Sequence, residues 1–143
     1  MIYEPKLSLI EIPYISDRST IVSEVKLSER GLEIIMESKE WVVSASFDAC
    51  WGFRVLDEGD LSEFWSECDL TQGWLFEVLS GGWNELENTR DHYVTGKLYE
   101  PQEFLFIGLN ECVSVLASEP PVITELSPSN KSKQTDALPR ASV

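Results

Sequence analysis

Basic side chains are scarce in this sequence. Eleven Lys and Arg stand against 25 Asp and Glu, a formal charge of −14. A surface that acidic repels nucleic-acid phosphates and anionic membranes and attracts a cation or a basic partner. Histidine is nearly absent too, with His92 the single copy. Any Ser/His/Asp or Cys/His catalytic set would have to use it. It stands in the polar stretch Arg90-Asp91-His92-Tyr93, which reads as a solvated loop. The three cysteines, Cys50, Cys68 and Cys112, are odd in number and widely spaced, with no C-x-x-C. They read as buried thiols in a reducing compartment rather than a disulfide framework. With His92 they could ligate a metal only if the fold gathered all four.

Other signatures are missing as well. There is no G-x-G-x-x-G and no Walker A sequence. Gly81-Gly82 has no lysine or hydroxyl beside it for phosphate binding and reads as a break after a strand. Asp57-Glu58-Gly59-Asp60 is too compact for a calcium loop. The longest apolar candidate, Phe104–Leu109, is strand-sized, against about 18 residues for a membrane span. Met1–Lys6 runs into polar sequence with no apolar signal-peptide core. The expectation is a cytoplasmic protein that uses no cofactor or metal and is not an enzyme.

What is present is the material for one core. The chain has 143 residues, 43% of them hydrophobic, including five Trp. That length suits a single domain burying roughly two thirds of its unfolded surface. From Ser127 onward Ser, Pro, Asn, Lys and Gln dominate, which predicts a globular domain over residues 1–126 and a disordered tail over 127–143. Lys131, Lys133 and Arg140 against Asp136 give the tail +2, so the first 126 residues hold −16.

Periodicity within the domain is mostly two. Pro5 and Pro13 bracket an apolar segment suited to an edge strand. Ile21–Leu27 and Leu32–Met36 flank Ser28-Glu29-Arg30-Gly31, a hairpin signal, and Trp41, Val43, Ala45 and Phe47 continue the alternation. Trp51, Phe53 and Val55 form a further set, Trp74–Leu79 suits a central strand, and Phe104–Leu109 with Cys112–Ala117 suits a second hairpin. Val122–Leu126 can add a short edge, and residues 90–103 read as loop. Leu61, Phe64, Trp65 and Cys68 make a helical stripe, with Asp60 as N-cap, Glu63 as capping-box partner and Trp65 in the core. Trp83–Asn88 reads as a helical turn with Trp83 and Leu86 inward. The predicted fold class is α+β: a mainly antiparallel sheet of about six to eight strands with one or two short helices.

The remaining feature is carboxylate-rich. Asp57, Glu58, Asp60, Glu63 and Glu67 fall within eleven residues, and on an α-helix Glu63 and Glu67 are like charges at i, i+4. Three readings stand open: a solvated helix start, a surface for a basic partner, or paired carboxylates for hydrolytic or cation chemistry. Arg54, just upstream, is placed to pair with Asp57 or Glu58.

The stretch Phe47-x-x-x-Trp51-Gly52-Phe53-Arg54-Val55-x-Asp57-Glu58-Gly59-Asp60-Leu61, then Trp74-x-Phe76, then Cys112-Val113-Ser114-Val115-Leu116-Ala117-x-Glu119-Pro120-Pro121, resembles small uncharacterised bacterial immunity-like proteins that partner secreted toxins. The likeness spans residues 20–125. It implies a cytosolic, non-enzymatic module that binds another protein, such as a basic nuclease toxin. A structural or accessory protein whose acidity serves solubility is the alternative, and a carboxylate-based hydrolase a second.

Overall fold

The computed structural model describes residues 4–126. The tail predicted over 127–143 lies outside the described residues.

Among the described residues nine strands form two antiparallel sheets. In chain order they are β1 (Lys6–Leu9), β2 (Ile21–Ser28), β3 (Gly31–Glu37), β4 (Val42–Phe47), β5 (Gly52–Asp57), β6 (Leu75–Ser80), β7 (Gln102–Ile107), β8 (Glu111–Ala117) and β9 (Val122–Glu125). One sheet runs β1-β6-β7-β8-β5 and the other β2-β3-β4-β9. The α+β class with a mainly antiparallel sheet is as expected. The count exceeds eight because both short edge segments form: β1 on β6 and β9 on β4.

The β2–β3 turn needs Gly31, whose φ is +114° and whose missing Cβ would lie 2.1 Å from the Phe47 carbonyl oxygen. Leu32, Ile34 and Met36 of β3 and Val43, Ala45 and Phe47 of β4 point inward, as their alternation predicts. They meet Leu75, Phe104, Phe106, Val113 and Val115 from the five-stranded sheet. Trp41 and Trp74 sit beside each other there, with ring centroids 5.4 Å apart, and their indole N–H groups donate to the Ile15 and Tyr14 carbonyls. Those two bonds tie the segment between β1 and β2 to the core.

The described residues hold three short helical pieces, a 3₁₀ segment (Glu58–Phe64), α1 (Trp83–Glu87) and α2 (Thr95–Leu98), and the first two pack on the other face of the five-stranded sheet. α2 falls in the stretch expected to be loop; it is four residues long and buries no side chain, so no amphipathic stripe announces it. In α1, Leu86 is exposed, not inward, while Trp83 is half-buried.

Candidate functional site

Strand register sets the outer face of the five-stranded sheet as three cross-strand rows. They are Gly52–Leu116–Glu103–Val78, Arg54–Ser114–Leu105–Phe76 and Leu56–Cys112–Ile107. The first row lies under α1, the last under the 3₁₀ segment, and Arg54 stands at the seam.

The 3₁₀ segment and the turn after it bury Leu61, Phe64 and Cys68 against Phe76, Leu105, Ile107 and Cys112. An α-helix capped by Asp60 is not what forms. The cap is Asp57, whose carboxylate accepts from the Gly59 amide at 2.8 Å, and Leu61 departs from helical geometry. In a 3₁₀ turn residues i and i+3 eclipse, so Leu61 and Phe64 share the buried side while Trp65 turns away. Trp65 is therefore half-buried, not core, and its indole N–H donates to the Glu58 carbonyl at 2.8 Å. Glu67 lies past the end of the segment, so it and Glu63 do not share one helix as expected. Asp57, Glu58, Asp60, Glu63 and Glu67 are all exposed.

Arg54 does not pair with Asp57 or Glu58. Alternation along β5 puts Arg54 on the outer face, and a residue three further on points elsewhere. Its guanidinium lies over the Trp83 ring at 5.1 Å. Burial pushes the Arg54 pKa down, while the Glu103, Glu63 and Glu87 carboxylates oppose the shift. Those three acids come from β7, the 3₁₀ segment and α1, so Arg54 joins the acidic segment to the aromatic half of the face.

That half is held by Glu103, a carboxylate only 3% exposed. It accepts from the Trp83 and Asn84 amides at 2.9 and 2.8 Å, docking the start of α1 on the sheet. Gly82 leaves the room, since a Cβ there would lie 2.7 Å from a Glu103 oxygen. Burial raises the Glu103 carboxyl, and the two amides and Arg54 hold it back. Beyond α1 opens a cleft of about 400 Å³ lined by Trp51, Trp83, Glu87, Arg90, His92 and Tyr93. Glu87 pairs with Arg90 at 2.8 Å and accepts from the Trp83 indole. Trp51 stacks on Tyr99 with centroids 4.5 Å apart, yet the rings are 43% and 55% exposed. Val94 and Leu98 are exposed nearby in the same segment.

Sequence reasoning missed this aromatic pair. The alternation Trp51, Phe53, Val55 assigns all three one face, but Trp51 precedes β5 and lines the cleft beside α1. β5 is an edge strand, and only Phe53 of the three packs against the inter-sheet core. Nothing in the local pattern signals that Tyr99 meets Trp51.

The thiols are separated by the sheet: Cys50 packs on the inter-sheet core, Cys68 and Cys112 under the 3₁₀ segment. Burial pushes Cys68 up to about 12 and Cys112 up to about 11. Among the described residues no group of three or more His, Cys, Asp or Glu is arranged to hold a metal ion. No helix among them is long and apolar enough to cross a membrane.

Charge is segregated as well. From Val55 to Leu126 there are fifteen carboxylates against Arg90 and Lys97 alone, whereas six bases stand against nine acids in residues 1–54. The outer face of the five-stranded sheet thus presents exposed carboxylates on one half and exposed aromatics on the other. No family model, curated protein or solved structure matches the chain.

Proposed function

We propose that the chain is an acidic protein-binding module that docks on a basic protein, as an immunity or inhibitor protein neutralises a basic toxin such as a nuclease. The observation that carries this reading is the outer face itself. Asp57, Glu58, Asp60, Glu63 and Glu67 are exposed on its 3₁₀ half, and the exposed Trp51–Tyr99 stack lies on the other. Exposed carboxylates in excess of bases steer a basic partner, and large rigid aromatics supply contact area at small entropic loss. On a nuclease toxin the carboxylates would occupy the phosphate site and act by exclusion, in the cytoplasm, without chemistry or cofactor.

The test is affinity capture from lysate at 0.05 and 0.5 M NaCl with wild type and a Glu63→Lys, Glu67→Lys double variant, with thermal melts of both. Wild type is expected to enrich a protein of basic pI. High salt should weaken the capture, because the Debye length falls to a few Å, and so should the double variant, at unchanged fold. Identical captures by both proteins at both salts would overturn the reading.

A further inference from the structure

Between the 3₁₀ segment and the β7–β8 turn lies a groove of about 280 Å³ lined by Glu58, Trp65, Leu70, Ile107, Leu109 and Asp69. Its floor is aliphatic, one wall is an indole, and both its charged groups are carboxylates. Hydrogen bonds hold the wall and rim in place. The Trp65 indole N–H is tied to the Glu58 carbonyl, and one Asp69 oxygen accepts from the Thr71 amide at 2.9 Å. Thr71's bonds also hold the Asp69 carboxyl below its ordinary value, so it is charged through neutral pH.

The half-exposed indoles differ in what covers them. Trp83 carries Arg54 and Trp51 stacks on Tyr99. Among the described residues the one ring beside Trp65 is that of Phe64, at 6.4 Å between centroids, and no guanidinium sits over it. Nor does the local sequence hold a base, since no Lys or Arg occurs from Val55 to Thr89.

We propose that this groove receives an arginine side chain of the basic partner, its methylenes on Leu70 and Leu109 and its guanidinium over Trp65 between Glu58 and Asp69. Charge complementarity selects the occupant: an aromatic face, an aliphatic floor and two carboxylates fit a planar cation on an apolar stem. The proposal rests on the binding-module reading and names the point on the face where the partner's cation is anchored.

The probe is a blocked tripeptide with arginine at its centre, titrated into the full chain while the five indole N–H resonances are followed by NMR. Matched peptides carry lysine or the neutral isostere citrulline. The arginine peptide is expected to shift the Trp65 indole saturably and leave the buried Trp41 and Trp74 indoles in place. Citrulline should bind at least about fivefold more weakly, lysine between the two, and Trp65→Leu about two- to fivefold more weakly than wild type. Glu58→Gln, at an exposed side chain, serves if Trp65→Leu fails to fold, and should weaken binding similarly. Equal binding of arginine and citrulline peptides would sink the proposal. So would non-saturating shifts spread over the acidic surface, or tightest binding by lysine. A Trp65→Leu chain that captures the basic partner at wild-type strength removes the groove while leaving the binding-module reading intact. Loss of salt-dependent capture altogether removes the reading itself.

Discussion

Glu103 and Arg54 show how two charged residues come to be half or wholly buried in an acidic protein. Glu103 stands at the head of an apolar strand, where the period-two pattern sends it to the outer face; α1 then closes over it. A buried carboxylate is tolerable when donors face it, and two main-chain amides do. Arg54, one row along, takes an aromatic face in place of an ion pair. Two thiols are buried as well, with Cys68 Sγ donating to the Phe64 carbonyl at 3.6 Å and Cys112 Sγ to the Gly108 carbonyl at 4.0 Å. Cys68 and Cys112 are held far above the ordinary thiol value, so little thiolate exists near pH 8. Thiol alkylation of the native protein at pH 8 is expected to modify Cys50 first. Cys68 should react at least about a hundredfold more slowly than a free thiol until the chain is unfolded. Peptide mapping by mass spectrometry reads the order, and equal labelling of all three would contradict the burial of the outer-face core.

Among the elements, the 3₁₀ segment departs most from its sequence pattern. The Leu61, Phe64, Trp65, Cys68 spacing fits an α-helix, and Asp60 with Glu63 fits a capping box. The segment instead starts earlier, at the Asp57 cap, and breaks at Leu61. Seven residues are too few for helix propensity to prevail, and burying Leu61 and Phe64 on one twisted sheet favours the i, i+3 geometry. The two capping assignments separate cleanly by mutation. Asp57→Ala should lower stability by about 0.5–2 kcal/mol, whereas Asp60→Ala should stay within about 0.5 kcal/mol of wild type. Urea denaturation of the two variants makes the comparison. The reverse order would restore Asp60 as the cap.

At the scale of the whole molecule, charge and sheet order coincide. The stretch from Val55 onward supplies the second half of β5 and all of β6 to β8 in one sheet, with β9 of the other, and carries most of the acidity; β2 to β4 and the loops around them hold Arg18, Lys26, Arg30 and Lys39. Such a body repels itself at low salt. Raising NaCl from 0.01 to 0.15 M shortens the Debye length from about 30 to about 8 Å. The melting temperature is expected to rise by about 3–5 °C over that range, equivalent to roughly 1 kcal/mol for a chain of this size. A flat or falling melting temperature would mean that the carboxylates are compensated within the fold.

The sequence by itself determined the local, periodic part of this protein. The β2–β3 hairpin with its obligatory Gly31, the β7–β8 hairpin, the inward sets on β3 and β4 and the excess of acid are all read from neighbours a few residues apart. Alternation is legible because it repeats every two residues, and a turn because one residue's φ constrains it. Only the tertiary structure decided that β5 pairs with β8, some sixty residues away, and that β9 closes on β4. It likewise decided that Trp51 and Trp65 reach the surface while Glu103 does not. Those outcomes depend on which element covers which face. A side chain's period chooses its face of the strand, but burial is set by whatever packs on that face from elsewhere in the chain.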